Sequence, residues 1–503
     1  FFGNQSLDSG GAVCGQDVSF SFRACVFRDN QAKNGGAFGS SYSYTNPTDS
    51  FDACIFENNS AGYGGAIYAD SGSVSLIDCS LTNNEADSGG AIYARAALDI
   101  SDTTFDSNTA DDRGGGIDIE NGTAQLTRCT FSNNQATYGG GAILGLGYLA
   151  QVFDCRFEGN SATIRGGGLH TLTSVVVMDS CQFKDNEAGD KGGGLISRGT
   201  STITNCRFES NSANQGGGMY HDGDGLVLAD SHFELNSADF GGALGIGSYT
   251  GYGPVTVERC EIINNEAMEG GGVSAIESYG DLELRDCLIA QNYADGYAGG
   301  LAGGGESLHI FGCTIANNTA DDVGGGIVAV ENTSIQNSIL WGNRVHSISD
   351  QYAQIEALHF AQVSFSTVQG WIGESEGTSV SGEDPLFVEP HYFSWRPDPL
   401  GNYHVQTDSP AINAGDPAFV PEPAESDLDG HARVLCGRVD MGAYESGIGD
   451  MNCDEQVDLI DFASWPSCST AVALPAQCLP LDFNNDGDID LADFAALQRV
   501  SWN

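Results

Sequence analysis

The chain has 503 residues, and its 68 acidic side chains against 19 basic ones give a formal net charge of -49. A surface of that sign repels nucleic-acid phosphates and anionic lipid headgroups, which excludes both as partners, and it repels polyanionic polysaccharide unless calcium bridges the charges. No run of about 20 apolar residues occurs, so no helix is expected to insert into a membrane.

The chain opens at Phe1 without Met and joins a repeat part-way, at Ser9-Gly10-Gly11-Ala12, as if a leader had been removed or the chain were longer. From there one pattern returns about every 26 residues, which is the mark of a solenoid whose units bury their apolar faces only against each other. Cys129, Phe131, Asn134, Ala136 and Gly139-Gly140-Gly141 make one copy; Cys155, Phe157, Asn160, Ala162 and Gly166-Gly167-Gly168 make the next.

Each unit starts on a two-residue alternation, such as Leu282 and Leu284 or Val255 and Val257. The next inward residues, Cys287 and Cys260, fall three positions further on, and that slip in parity predicts a corner. Cys25, Cys54, Cys79, Cys129, Cys155, Cys181, Cys206, Cys260, Cys287 and Cys313 share this column, with Thr103, Ser231 and Ser338 replacing Cys. Parallel neighbours stand about one strand spacing apart, longer than the roughly 3.5–4.5 Å between disulfide-linked Cβ atoms. Stacked buried thiols are therefore expected, not bridges.

Five residues after this column stands Asn: Asn30, Asn59, Asn84, Asn108, Asn134, Asn160, Asn186, Asn211, Asn236, Asn265, Asn292, Asn318 and Asn343. Asn tolerates left-handed backbone angles and its amide both donates and accepts, so an internal asparagine ladder at a bend is expected. A glycine run then permits a tight turn. A third strand follows with an inward aliphatic residue, as at Ile67, Ile92, Ile117, Ile143, Leu169 and Leu195. Three strands and three bends per unit predict an all-β, right-handed parallel β-helix solenoid of about 13–14 rungs, roughly 60 Å long, over residues 1–370.

Phe56-Glu57-Asn58-Asn59 with Gly64-Gly65-Ala66-Ile67, and again Gly89-Gly90-Ala91-Ile92, resemble the repeats of polymorphic outer membrane proteins and related bacterial adhesins. The likeness covers about residues 9 to 345. It implies a β-helix and a surface setting; its residues are those that build the coil and say little about chemistry.

After Asn343 the period loosens, with residues 363–369 reading as one more rung. Asp384-Pro385-Leu386-Phe387, Ser409-Pro410-Ala411-Ile412-Asn413-Ala414-Gly415-Asp416, Asp427-Leu428-Asp429-Gly430 and Asp440-Met441-Gly442-Ala443-Tyr444-Glu445 follow in order. This series resembles the segment called choice-of-anchor Q, and residues 371–446 are expected to cap the open end of the helix. Asp427 and Asp429 read as an Asp-Gly turn, with calcium binding as the alternative.

The last segment, 447–503, carries the clearest chemistry. Asp450, Asn452, Asp454, Asp458 and Asp461 stand at positions 1, 3, 5, 9 and 12 of a loop, and Asp482, Asn484, Asp486, Asp490 and Asp493 repeat the spacing. Calcium takes oxygen ligands at such spacing, with the position-7 carbonyls of Gln456 and Asp488 completing each set, so two calcium ions are expected. Gly487 makes the sharp turn of the second loop; Glu455 replaces it in the first, which predicts a weaker site. Short helices bearing Phe462 and Phe494 follow. The duplicated loop-helix resembles a dockerin domain, which implies a cohesin-like protein or a cell-envelope component as partner. Leu459-Ile460 and Leu491-Ala492 stand where dockerins usually carry Ser-Thr. Cys468 with Cys478, and Cys436 with Cys453, are expected to pair in an oxidising setting.

The residue after the inward aliphatic runs Tyr68, Tyr93, Asp118, Leu144, His170, Ile196, Tyr220. As an outward column it offers a candidate ligand strip: Tyr68 and Tyr93 as a stacked sugar platform, Asp118 and Glu120 on a shared face, and His170. Arg113, Arg165 and Lys191 among Asp111, Asp112 and Asp190 read as surface ion pairs. No nucleophile elbow, zinc spacing or phosphate loop occurs, and no catalytic residue is assigned. The expected role is a secreted or cell-surface, non-catalytic scaffold or adhesin. The alternatives are a polysaccharide lyase or glycoside hydrolase in a cohesin-dockerin assembly and a structural spacer.

Overall fold

Between Ser73 and Ala94 the chain completes one coil. Ser73–Ile77 turns Val74 and Leu76 inward. Asp78 then takes a left-handed backbone with φ 52°, after which Cys79 and Leu81 face the core along Ser80–Thr82. Asn83 makes a second left-handed corner, Glu85–Ser88 adds a short strand, and Gly89 makes the third before Ile92–Ala94. The computed structural model describes residues 1–447, apart from 42–44, 146–148, 173–174, 248–252, 279, 330–331, 347–348, 358–360, 373–376, 393–400 and 423–424, together with residues 478, 481, 489 and 493.

Stacked in register, the coils form three long parallel sheets: a leading sheet of 15 strands, a Phe sheet of 14 and a glycine sheet of 14. The short strand after the Asn builds ladders of six and four strands, so each of those coils has a fourth side that periodicity did not reveal. The corner inferred from the parity slip is present: Asp102, Arg128, Asp154, Asp230 and Asp286 all hold φ between 50° and 54°. The second corner differs from expectation. The left-handed residue is the one before the ladder Asn, as at Asn58, Ser107, Asn133 and Asn317. The ladder Asn must aim its own N–H along the stack, so the turn falls one residue earlier. At the glycine corner, a Cβ on Gly90 would sit 2.1 Å from the carbonyl oxygen of Gly115 in the next coil, which is why a second glycine follows Gly89.

The core is a set of like-on-like stacks. Phe105, Phe131, Phe157, Phe183, Phe208 and Phe233 lie face to face with ring centroids 4.5–5.1 Å apart, each contact adding roughly 0.5–1.5 kcal/mol beyond burial. Beside them runs the asparagine ladder. The backbone N and Nδ2 of Asn134 both donate to Asn160 Oδ1 at 3.0 Å, and Nδ2 also donates to the Phe105 carbonyl. The ladder starts one coil earlier than the repeat suggested, where Asn4 Nδ2 donates to Asn30 Oδ1. It ends where Asn343 donates to Gln354 Oε1, on a single-turn helix α1 (Gln351–Gln354) capped by Asp350.

Nine column cysteines, from Cys54 to Cys313, are buried free thiols. Column side chains accept from the backbone N–H of the coil before them, as in Cys129 N to Cys155 Sγ at 3.4 Å, Cys206 N to Ser231 Oγ at 3.0 Å and Cys79 N to Thr103 Oγ1 at 3.2 Å. A hydroxyl and a thiol do the same work there, which explains the interchange.

Gln362–Ser364 and Thr367–Val368 form the further coil expected at 363–369, and Trp371 and Val380 pack on the end of the core. The rest of the 371–446 segment folds back along the flank instead of stacking on the end. Phe387, Tyr403, Ala411, Met441, Ala443 and Tyr444 bury the outer face of the last Phe-sheet strands at Leu288, Ala290, Ala316 and Ile339. Those strands carry apolar residues outward where earlier ones carry Glu57, Glu158 and Lys184, so a partner for that face was readable in the sequence.

Candidate functional site

The outward side of the glycine sheet is not an open strip. A row of residues immediately before the glycine corner, bridged in parallel as Arg113, Gly139, Arg165, Lys191, Gln215, Phe240 and Glu269, stands beside it. Arg113 and Lys191 of this row reach over the outward column, to Asp118 and Tyr220. Strand parity assigned the column to the outside correctly but not to solvent: Tyr93, Asp118, His170 and Tyr220 are buried, and Tyr68 is half-buried.

Tyr68 and Tyr93 do stack, with centroids 5.5 Å apart and planes within 4°. They are not an exposed platform, which corrects the expectation. Tyr63 packs edge-on to Tyr93 at 5.0 Å, the Tyr93 hydroxyl donates to Glu120, and Arg95 reaches both Glu120 at 2.6 Å and Asp70 at 3.3 Å. Burial, with the Asp70 charge beside it, pushes the Tyr68 hydroxyl up to about 12. The Tyr93 and Arg95 bonds hold Glu120 below its ordinary range against its partial burial.

Asp118 is fully enclosed, and neither carboxylate oxygen has a hydrogen-bond donor. Its nearest cation is Arg113, with Nε 3.8 Å from Oδ2. Burial pushes its carboxyl up to about 7, against the pull of Arg113. His170, two coils further on, is also enclosed with neither ring nitrogen hydrogen-bonded. A Cβ on Gly139 would fall 2.6 Å from His170 Nδ1, so the glycine in the covering row makes room for the ring. Burial, with Arg198 and Arg165 nearby, pulls this imidazole down to about 3 and keeps it neutral. Asp118 and His170 are separated along the column by Leu144, which is buried between their strands.

The basic residues of the covering row pair as anticipated only in part. Arg165 meets Asp190 at 3.1 Å and Arg113 meets Asp112 at 3.3 Å. Lys191 instead lies over the Tyr220 ring, with Nζ 4.1 Å from the centroid and 2.7 Å from the hydroxyl oxygen. This row was the functional feature missed from sequence; its signal was a residue five positions before each outward one. An inward pair was missed as well: Ser197 Oγ lies 2.9 Å from His221 Nδ1 inside the coil, where burial pulls His221 down to about 4.

Asp427 fits the turn reading. Its Oδ1 accepts from His431 N at 2.7 Å, its Oδ2 accepts from Glu445 N at 2.8 Å, and its carbonyl accepts from Gly430 N. Asp429 meets His404 at 2.7 Å. Of the expected calcium ligands, Asp450, Asn452, Asp454, Gln456, Asp458, Asp461, Asp482, Asn484, Asp486, Asp488 and Asp490 lie outside the described residues. Asp493 is described and is buried in a helical turn. Cys436 and Cys478 are each disulfide-bonded; their expected partners, Cys453 and Cys468, lie outside the described residues.

Residues 64–212 and 147–310 match the family described as the right handed beta helix region. This is a right-handed β-helix repeat protein. Within the β-helix, residues 53–70 match the Chlamydia polymorphic membrane protein repeat, the stretch that holds Phe56, Asn59 and Gly64-Gly65. A comparison with curated proteins finds no match. Among the described residues no helix is long and apolar enough to cross a membrane.

Proposed function

We propose that this β-helix is a secreted or cell-surface, non-catalytic scaffold or adhesin. The observation that carries the reading is the use made of the outward polar groups. The Tyr93 hydroxyl serves Glu120, Lys191 serves Tyr220, and Asp118 and His170 are closed in and kept apart by Leu144. Acid-base or polysaccharide-cleaving chemistry needs groups that converge on an open space; these side chains are either paired with a neighbour or sealed in singly. The polymorphic-membrane-protein likeness of the repeat supports a surface location.

Attachment is assigned to residues 447–503. The same five oxygen-bearing residues occur twice at calcium-loop spacing, at Asp450 to Asp461 and Asp482 to Asp493, where ten carboxylates face one arginine, Arg499. Two calcium ions would order this dockerin-like segment and present an apolar face at Leu459-Ile460 and Leu491-Ala492 to a cohesin-like protein or an envelope component. Calorimetric calcium titration of the full chain tests this: two ions are expected, and Asp454→Asn with Asp486→Asn should abolish the uptake. No calcium-dependent heat would refute the attachment reading. Reducing-sugar and unsaturated-uronate assays on neutral and acidic polysaccharides test the scaffold reading; turnover lost in Asp118→Asn would overturn it.

A further inference from the structure

The outward column is filled from Tyr68 to Tyr220 and then breaks, because the position paired with Tyr220 in the next coil is Gly245. At that gap lies a cavity of about 70 Å³, lined by Gln215 and Phe240 of the covering row, Tyr220, Gly245 and Ser274 of the column, and the aliphatic Ile246 and Ile276. Two glycines leave room for the Tyr220 side chain that walls it. A Cβ on Gly245 would meet the Tyr220 ring at 2.8 Å, and one on Gly247 would meet its hydroxyl. Gln215 Oε1 is shielded from bulk solvent and has no hydrogen-bond donor. Phe240 and Ile276 are 38% and 42% exposed, so the cavity has an apolar rim left uncovered among the described residues.

Such a volume holds roughly five waters, or a group of about four heavy atoms. The lining asks that group for one N–H to satisfy Gln215, one acceptor for the Ser274 hydroxyl and one small apolar end against Tyr220 and Ile246. An acetamido group has these parts. A pyranose ring attached to it would leave its carbon face against Phe240 and Ile276, and a chain charged at -49 disfavours acidic sugars. We propose that this pocket binds the acetamido group of a neutral N-acetylamino sugar, with the amide N–H donating to Gln215 Oε1 and the Ser274 hydroxyl donating to the acetyl oxygen. The inference rests on the binding role proposed above and names its ligand class.

Saturation-transfer NMR on the full chain with N-acetylglucosamine and N-acetylgalactosamine tests it, with glucose, galactose and N-acetyl-lysine as comparison ligands. Transfer should be strongest at the acetyl methyl of the amino sugars. Gln215→Leu should weaken binding about 10-fold, as loss of one buried hydrogen bond implies, and Ser274→Leu should fill the cavity and abolish it, with circular dichroism matching wild type. Equal binding of glucose or N-acetyl-lysine, no binding of either amino sugar up to about 10 mM, or unchanged affinity in both variants would overturn the assignment. Adhesion to cells that survives in Ser274→Leu would sink the pocket and leave the scaffold reading standing.

Discussion

Arg433 places its Nε 3.2 Å from Asp286 Oδ1, and both side chains are sealed from solvent. Asp286 belongs to a corner of the β-helix, whereas Arg433 comes from the segment folded along its flank. A second carboxylate, Glu445, meets Arg433 Nη1 at 2.8 Å. The position stacked on Asp286 is Gly312, where a Cβ would lie 2.7 Å from Arg433 Nη2, so a glycine in a corner that neighbouring coils fill with Arg259, Asp286 and Asn337 lets the guanidinium in. The flank segment is thus keyed into the coil by a buried charge, not merely laid on an apolar face.

Removing one partner of such a cluster strands the others. Arg433→Met should destabilise the docked segment by about 3–5 kcal/mol. Hydrogen exchange should show the loss in peptides around Ala411 and Ala443, with the coils before Cys260 unchanged.

Asp118 carries a pH dependence whose sign is fixed by its burial. Its folded-state value is raised to about 7 from an ordinary 3.8. The folded protein therefore holds this proton where the unfolded chain releases it. The stabilisation is complete below pH 3.8 and is lost as pH rises through about 7. Asp118→Asn removes that dependence, so wild type should lose on the order of 2 kcal/mol relative to the variant between pH 5 and pH 8. Urea midpoints at the two pH values check it; equal slopes with pH would contradict the enclosure.

Columns were legible in the sequence where one residue type does one job in every coil. Cys, Asn and Gly repeat because the backbone N–H, the amide chain and the close approach of Gly90 to Gly115 each demand a narrow chemistry. The covering row was not legible, since Tyr63, Arg113, Lys191 and Phe240 share only a position. Parity told which way Tyr93 and His170 point, but not that another side chain lies over them. The ladder's end at Gln354 was hidden for a similar reason: a helix supplies the amide from outside the repeat.

Interior ladder positions should be far less tolerant than their polarity suggests. Asn160→Ala removes the oxygen that accepts from both Asn134 N and Asn134 Nδ2. Stranding these buried donors should cost about 2–4 kcal/mol. The expected signature is faster hydrogen exchange in the coils from Cys129 to Asn186, with coils several turns away little affected.

The thiol column makes a paired prediction. Cys155→Ser keeps an acceptor for Cys129 N and should change stability by less than about 1 kcal/mol, whereas Cys155→Val leaves that N–H unpaired and should cost about 1–3 kcal/mol. Similar thermal midpoints for the two variants would contradict the hydrogen-bonding role.

The stack itself is tested most directly by alkylating the unreduced native protein, then the unfolded protein, and mapping the label by peptide mass. Cys14, which is exposed, should react in the native state, while the nine thiols from Cys54 to Cys313 should react only after unfolding and without reductant. Native labelling along that column, or no labelling after unfolding because its cysteines are bridged, would contradict an inward ladder of free thiols and the coil built upon it.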